Sequence, residues 1–300
     1  MSRPILHPGI PFAAACLGMA TFAGMDALMK GLSIEMGVYN ALLWRTGIAA
    51  GLALLLFLIR RSALPGSKAL RIHVWRGIIT SVMAYLFFWG LVYVPLAEAI
   101  ALSFIAPLIA LYLAAILLGE KINRNTIMAS VLGLAGAGII IQGKLSGEYS
   151  SEVGKGVAAI LISAALYAYN LILQRQQALI ANPVEISLFQ NATVVGIYLL
   201  FAPFLAVVPA LEQWPTLTLT AALGVLSLLC LSWAYGKAEA KTLIPVEYTA
   251  FIWASLFGWL MYGEKLTLIT LAGTALIVIG CLLAARQHPD DVEHVESTAV

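Results

Sequence analysis

The stretch GEKINRNTIMASVLGLAGAG, residues 119–138, returns in a related form as GEKLTLITLAGTALIVIG at residues 263–280. The two copies are offset by 144 positions, and at this offset Thr126 matches Thr270 and Gly136 matches Gly280. In both places one apolar run ends at a Gly-Glu-Lys tripeptide and another apolar run begins shortly after it. The match predicts a duplicated chain whose two halves share one pattern of elements.

The composition predicts that these elements lie in a lipid bilayer. Of the 300 residues, 61% are hydrophobic and 11% are charged, and the mean hydropathy is +0.94; soluble domains carry roughly 25% charged residues. Apolar runs of about 20 residues recur along the chain, which is the length that crosses the hydrocarbon core as a helix. The runs are continuous rather than alternating, so we expect an all-α integral membrane protein and not a barrel.

Prolines, glycines and charge clusters divide the apolar sequence into ten transmembrane helices. The first apolar run is too long for the core of a signal peptide and is therefore counted as a span. The predicted spans are 9–30, 38–59, 74–94, 97–118, 126–143, 155–175, 185–207, 217–236, 243–262 and 267–285. The first repeat then covers 9–143 and the second 154–285. Because five is an odd number, the second repeat crosses the membrane in the opposite sense, which makes the two inverted repeats.

The distribution of Lys and Arg predicts the orientation, because cytoplasmic segments carry the excess of positive charge. With a cytoplasmic N-terminus, twelve basic residues lie inside: Arg3, Arg60, Arg61, Lys68, Arg71, Arg76, Lys121, Arg124, Arg175, Lys237, Lys241 and Arg286. Four lie outside: Lys30, Lys144, Lys155 and Lys265. We therefore expect both termini in the cytoplasm of a cell with this protein in its inner membrane, and a disordered cytoplasmic tail over 286–300.

Several classes of protein find no support in the sequence. The net charge of +2 is too small to indicate a nucleic-acid partner. The three cysteines lie in apolar runs without a CxxC spacing, so neither a metal site nor a disulfide framework is predicted, and no cofactor is expected. The chain has no Walker A motif, so ATP hydrolysis is not expected.

Three stretches carry a family resemblance: LLWRTGIAAGLALLL in the second span, RGIITSVMAYLFFWGLVYVPLAEAIALSFIAPLIALYLAAILLGEK over the third and fourth, and the second GEK. Through them the chain resembles the drug/metabolite transporter superfamily, in its ten-helix form with two EamA domains. The resemblance implies a central cavity lined by the first, third, fourth, sixth, eighth and ninth helices. It also implies a small metabolite as substrate, and the fourth span resembles S-adenosylmethionine and riboflavin uptake carriers.

Ionisable side chains inside the spans indicate where such a cavity lies, because each costs about 2.5–3.5 kcal/mol in hydrocarbon. Asp26 and Lys30 are four residues apart on one helix face. Lys30 is expected to extend to the interface and to neutralise Asp26, whereas Asp26 is too short to do so and faces the cavity or forms a structural pair. Arg45 either binds a carboxylate or pairs structurally near a helix end.

The ninth span supplies a second acidic candidate. Glu247 follows Pro245, which is expected to bend the helix, and its repeat counterpart is Ser103. Glu247 is a candidate for a coupling proton or a cationic substrate group, with solvation at the membrane interface as the alternative. Glu98 is expected at the cavity rim rather than buried, and the glutamates of the two GEK tripeptides are interpreted as structural.

Aromatic residues crowd the predicted lining and complete the candidate site. The substrate-binding candidates of this group, together with one amide, are Tyr85, Trp89, Tyr169, Asn170, Trp233, Tyr248 and Trp253. Their rings suit a planar or cationic group such as a sulfonium, although lipid-facing and packing roles are also open. Together with the acids they favour a zwitterionic or cationic substrate.

The sequence therefore predicts a secondary transporter that moves a small organic metabolite by alternating access. A coupling proton and a homodimer are both compatible with the pattern. An intramembrane enzyme is disfavoured because the four histidines lie at or outside predicted helix ends. A channel is disfavoured because no ring of charges or filter segment is visible, and a non-transporting membrane scaffold is a further alternative.

Overall fold

The computed structural model describes residues 9–62, 64–118, 124–145, 151–235, 237, 246 and 248–285. Within these ranges the chain is almost entirely helical. The helices are α1 (Gly9–Met36), α2 (Val38–Ile59), α3 (Ser67–Tyr93), α4 (Leu96–Ser103), α5 (Ile105–Leu118), α6 (Arg124–Leu145), α7 (Ser151–Ile180), α8 (Pro183–Leu205), α9 (Trp214–Tyr235), α10 (Thr249–Tyr262) and α11 (Leu268–Ala285). A short 3₁₀ turn, Leu211–Gln213, precedes α9.

These helices make up the ten spans of an all-α membrane protein. Six described helices are long and apolar enough to cross a bilayer: α1, α2, α3, α7, α8 and α9. The other spans contain shorter apolar helices over Leu96–Ala110, Ser130–Gln142, Thr249–Tyr262 and Leu268–Gly280. The prediction of ten helices is confirmed, and α2 begins and ends where the sequence indicated. The first turns of the predicted ninth span, 243–245 and 247, lie outside the described residues.

The fourth span is broken into α4 and α5 at Phe104, which the sequence analysis did not foresee. The amide of Phe104 donates to both Ile100 O and Ala101 O, each at 3.2 Å, so the helix tightens there. Pro107 has no N–H to donate to the carbonyl of Ser103, and its ring crowds that carbonyl. Pro107 and Ser103 both line the central cavity, so the break exposes polar backbone and side chain at the site.

The contacts between helices follow the repeat. When a helix of the first half packs on a helix of the second half, their counterparts in the other halves pack on each other as well. Helix α1 packs on α9, and its counterpart α7 packs on α3. Helix α2 contacts α9 while its counterpart α8 contacts α3, and α1 contacts α10 while α7 contacts α5. The pairs α2–α8 and α6–α11 map onto themselves. The two halves are therefore related by a pseudo-two-fold axis, and the central cavity lies between them.

Helices α6 and α11, which follow the two GEK tripeptides, meet through glycines. A Cβ added at Gly273 would lie 2.6 Å from Gly136 O, and one added at Gly136 would run into Gly273 O. Backbones that approach this closely tolerate only glycine at the crossing. The small residues of these two stretches therefore form a tight helix pair at the side of the molecule.

This crossing gives a stability prediction with a matched control on the same helix. We expect Gly136→Leu to lower the free energy of unfolding by about 1–3 kcal/mol, because the new side chain overfills the contact. A Cβ at Gly138 meets nothing within 4 Å, so Gly138→Leu should be neutral or slightly stabilising. Thermal unfolding of the purified variants in detergent measures both, and equal melting temperatures would contradict the assigned contact.

Candidate functional site

A cavity of about 270 Å³ lies between the two halves. It is lined by α1, α3, α4, α5, α7, α9 and α10, and in addition by α2 and α8, which the family resemblance did not include. The polar and charged side chains of the lining are Asp26, Arg45, Thr46, Arg76, Thr80, Ser103, Ser163, Tyr167, Asn170, Gln174, Gln190, Asn191, Ser227 and Tyr248.

Asp26 lies in this cavity and is almost completely buried, with 1% of its surface exposed. Neither carboxylate oxygen has a hydrogen-bond partner among the described residues. A buried carboxylate without partners is costly, so the fold keeps this group at a position that only a ligand, a proton or water satisfies. The alternative of a structural pair with Lys30 is not what the structure shows.

Arg45 lies in the same lining and is the charge that acts on Asp26 among the residues that the structure describes. The two side chains attract each other but are not joined in an ion pair. Its Nε atom has no hydrogen-bond partner in the described part of the chain. The guanidinium rests against Gly224 of α9, where a Cβ would lie 2.7 Å from Nη2. Of the two roles open from the sequence, the placement puts Arg45 at the cavity.

Arg76 is the charged residue of the cavity that sequence reasoning missed. It was counted among the cytoplasmic loop charges, but α3 begins at Ser67, so Arg76 is well inside the helix and 3% exposed. Its Nε donates to Asn170 Oδ1 at 3.0 Å and its Nη2 to Gln174 Oε1 at 3.1 Å, while its Nη1 donates to Gln177. All three acceptors are neutral amides of one helix, α7.

A chain of hydrogen bonds continues from Arg76 to the α7–α8 junction. The Nε2 of Gln177 donates to Nδ1 of His73, and Nε2 of His73 lies 3.0 Å from Glu185 Oε1. Asn182 caps α8 by accepting from the amide of Glu185 at 3.0 Å. The local sequence explains the cap, since Asn precedes Pro at the first helical position and Glu stands at the third.

The direction of this chain predicts the tautomer of His73. Arginine only donates, so the Gln177 carbonyl must face Arg76 and its amide must face Nδ1 of His73. His73 therefore carries its hydrogen on Nε2 and donates it to Glu185. We expect ¹⁵N NMR of histidine-labelled protein to show an unprotonated Nδ1 for His73, with His73→Gln used to assign the signal. A hydrogen on Nδ1 alone would contradict the direction of the chain.

Lys30 does not extend out of the protein and does not pair with Asp26, contrary to both of these predictions. Lys30 is 6% exposed, and its Nζ forms an ion pair with Glu264 and donates to Val94 O at 2.9 Å. Glu264 also accepts from the amide of Leu96 at 2.7 Å. The partner of Lys30 is thus the glutamate of the second GEK tripeptide, and the two side chains bind the ends of α3 and α4.

Glu98 was expected at the rim and is instead buried, with 2% of its surface exposed. Its Oε1 accepts a hydrogen bond from Thr270 at 3.1 Å. The sequence places Glu98 in the first turn of a span, which suggested solvent, but α4 is short and is covered by α10 and α11.

The remaining predicted site residues divide between the cavity and its surroundings. Ser103, Asn170 and Tyr248 line the cavity. Tyr85, Trp89, Tyr169, Trp233 and Trp253 lie outside its lining. Tyr85 is 40% exposed on the outer surface, Tyr169 accepts from Trp75 at 3.2 Å, and the ring of Trp253 stacks on Phe257. Glu247 lies outside the described residues.

The aromatic and amide side chains at the cavity were hard to select from sequence. Tyr248 meets the ring of Phe104 edge-on at 5.2 Å, which fixes it beside the break in the fourth span. Gln190 and Asn191, on α8, were not predicted at all. Two polar amides side by side in an otherwise apolar span were the available signal for them.

With this geometry in place, comparison with known proteins assigns the family. The model of the EamA-like transporter family matches residues 9–142 and again residues 154–286. The chain belongs to the EamA-like transporter family. Its ten helices fit the two-repeat fold of that family.

Similar proteins carry transporter names. The pseudopaline exporter CntI of Pseudomonas aeruginosa is 28% identical over 293 residues, which cover 95% of this chain and 99% of the relative. A riboflavin transporter of Brucella anthropi is 25% identical over 287 residues, covering 91% and 96% of the two chains. One solved structure superposes with a TM-score of 0.59 at 19% identity, over 91% of this chain and 96% of that one, and supports the fold.

These findings make the protein a multi-pass membrane transporter of the drug/metabolite superfamily with a small-molecule substrate. The family and the relatives indicate transport rather than catalysis. In the described ranges, His, Cys, Asp and Glu do not gather into a group of three that could hold a metal ion.

Proposed function

We propose that this EamA-like transporter is a secondary transporter that moves a small organic metabolite across a bacterial inner membrane by alternating access. The observation that carries the proposal is Asp26, a buried carboxylate without a hydrogen-bond partner in the described structure, at the cavity between the halves. Such a group is retained where a ligand binds.

Alternating access is supported by the packing of the two halves. Inverted halves that contact each other through exchanged helix pairs have two equivalent ways to close around a central site. The repeats are proposed over 9–143 and 154–285, and both termini are proposed to be cytoplasmic, which the excess of basic residues on one side supports. Helices α6 and α11 lie at the side of the molecule, where they are available for a homodimer contact.

The substrate class proposed from the sequence is an amino acid, S-adenosylmethionine, riboflavin or a similar metabolite. A proton is proposed as the coupling ion because the cavity offers a carboxyl group that binds one. The names of the relatives include an exporter and a riboflavin transporter, so they leave both transport directions open.

Uptake by proteoliposomes tests the proposal. Vesicles holding the purified protein are offered labelled S-adenosylmethionine, riboflavin, tryptophan, threonine, adenine and the dicarboxylate dipeptide aspartyl-phenylalanine, each with and without an imposed proton gradient. We expect saturable uptake of at least one compound above the level of empty vesicles. Stimulation by an inward proton gradient would support the coupling ion, and equal uptake with and without the gradient would contradict it.

A non-transporting scaffold is the competing function. It predicts no saturable uptake in vesicles that hold folded protein in both orientations. It also predicts that the cavity residues are exchangeable without consequence for growth of the cell.

A further inference from the structure

The charged groups of the cavity are not matched to one another. Three charged side chains are described in its lining: Asp26, Arg45 and Arg76. None of them takes part in a described ion pair. Buried charges that lack a counter-charge destabilise a protein, so these three side chains are costly when they face only one another. The cost falls when a ligand brings the opposite charges.

We infer that the site binds an amino-dicarboxylate, a molecule with one ammonium group and two carboxylates on a partly apolar body. This inference deepens the proposed transport function and rests on it. The ammonium lies at Asp26, one carboxylate lies at Arg45 and the second carboxylate lies at Arg76. The ligand charges are then the complement of the three charges on the protein.

Arg76 is built as an anion site. Its Nε, Nη1 and Nη2 atoms each donate once to an amide on α7, to Asn170, Gln177 and Gln174. A guanidinium has five N–H groups, so one on each Nη atom is not used by these bonds. Two parallel N–H groups on the terminal nitrogens match the two oxygens of a carboxylate. The amides hold the plane of the group without neutralising its charge.

Asp26 and Arg45 form the second part of the site. They lie in the same lining and attract each other, yet no ion pair closes the space between them. Asp26 has two free acceptor oxygens and Arg45 a free Nε donor in the described structure. An ammonium and a nearby carboxylate of one ligand can therefore bind Asp26 and Arg45 respectively.

The two parts lie at different depths. Helices α1 and α3 cross the membrane in the same direction, and Asp26 is in the second half of α1 while Arg76 is in the first half of α3. At about 1.5 Å of rise per residue, the ligand has to span the distance between these levels. Apolar side chains line the space: Met19, Phe22, Met83, Phe87, Phe88 and Leu228. The body that joins the charged groups is therefore apolar.

A permanently cationic substrate is disfavoured by the same charges. A sulfonium or quaternary ammonium would meet one described carboxylate and two guanidiniums, so repulsion would exceed attraction. This changes the preference drawn from the sequence, which did not include Arg76 at the cavity.

Binding of a matched ligand series to the purified protein in detergent tests the inference, measured as dissociation constants by isothermal titration. Aspartyl-phenylalanine carries one ammonium, two carboxylates and an apolar ring. Its methyl ester and alanyl-phenylalanine each lack one carboxylate, and N-succinyl-phenylalanine lacks the ammonium. We expect each truncated compound to bind at least tenfold more weakly, because each loses a charge-assisted hydrogen bond.

Variants assign the charges to residues. The methyl ester and alanyl-phenylalanine each keep one carboxylate. In Arg76→Gln, the dissociation constant of one of these two compounds should lie within threefold of that of aspartyl-phenylalanine. Arg71→Gln makes the same change at an exposed position of α3. It should leave the ratio between the dissociation constants of these compounds and aspartyl-phenylalanine as it is in the wild-type protein. Asp26→Asn should remove the preference over the succinyl compound. Melting curves identify any variant that does not fold. The comparison of the four ligands on the wild-type protein tests the inference even if a variant does not fold.

Specific outcomes would overturn the inference. Equal affinities across the wild-type series would do so, and so would absence of binding of aspartyl-phenylalanine to folded protein. Retention of the ratio in folded Arg76→Gln would remove Arg76 from the site. Uptake of a compound without a second carboxylate in the proteoliposome assay would preserve the transport function while overturning this substrate class.

Discussion

Asp26→Asn is expected to reduce the initial rate of uptake about 10- to 100-fold for the compound that the wild-type protein takes up. The change keeps the size of the side chain and removes its charge. A hydrogen bond to a charged group contributes about 1.5–3 kcal/mol, and the described structure offers no other acceptor that could replace Asp26 on α1 at this place in the cavity.

The same variant is expected to be at least as stable as the wild-type protein. Asp26 is 1% exposed and neither oxygen is hydrogen-bonded in the described structure, so the negative charge opposes folding. A loss of transport together with an unchanged or raised melting temperature distinguishes a binding group from a structural one. A loss of transport that accompanies a lowered melting temperature would favour a structural role.

The matched control is Glu35→Gln, which changes an acid to its amide on the same helix. Glu35 is exposed near the end of α1 and lies outside the cavity lining. Its uptake rate should equal that of the wild-type protein. Equal rates for Asp26→Asn and the wild type, in vesicles with matched protein content, would remove Asp26 from the mechanism.

The position of Asp26 at a cavity could be predicted from the sequence, because it follows from the free-energy cost of a carboxylate in hydrocarbon. A short acidic side chain in the middle of an apolar span cannot reach water along the helix, so a cavity was the solution left. The spans themselves were accessible for the same reason, since helix length in a bilayer is set by the thickness of the hydrocarbon.

The roles of residues that depend on a partner far away in the sequence could not be predicted. Lys30 and Glu264 are 234 positions apart, and helix periodicity reports only neighbours three or four positions away. Arg76 was misplaced because α3 begins at Ser67, seven residues before the predicted start. Polar residues in the first two turns of α3 concealed that start.

The prediction of which aromatic residues line the cavity failed for a different reason. A helix that is hydrophobic on all sides gives no preferred face in its sequence, so its rotation is set by packing. Helix α3 illustrates this, since Tyr85 is exposed at the outer surface while Phe87 and Phe88 of the same helix line the cavity. The sequence therefore identifies the spans that are rich in aromatic residues but not the residues that face the cavity.

Glu264→Ala is expected to cost about 3–5 kcal/mol of stability, the largest effect on folding that the structure predicts. The variant removes the carboxylate that pairs with the buried ammonium of Lys30, and removing one partner of a buried ion pair is strongly destabilising. It also leaves the amide of Leu96, at the start of α4, without the carboxylate that accepts from it. Helix N-termini carry unpaired amides and a partial positive charge, and a carboxylate stabilises both.

The position of the pair explains the size of this effect. Lys30 Nζ donates to the carbonyl of Val94, the residue directly after α3, and Glu264 accepts from the amide of Leu96, the first residue of α4. Pro95 separates the two helices, so neither end is covered by the other. One ion pair thus satisfies a carbonyl and an amide on the two sides of a proline, and it joins α1 and the end of α10 to that junction.

Thermal unfolding in detergent measures the loss, with Lys265→Met as the control. Lys265 is the exposed third residue of the same tripeptide, and surface charges of this kind contribute little. The double variant Lys30→Met with Glu264→Gln should recover part of the loss, because it removes the buried ammonium together with the carboxylate that pairs with it and keeps an acceptor for Leu96. An equally small effect of Glu264→Ala and Lys265→Met would show that the pair does not hold this junction.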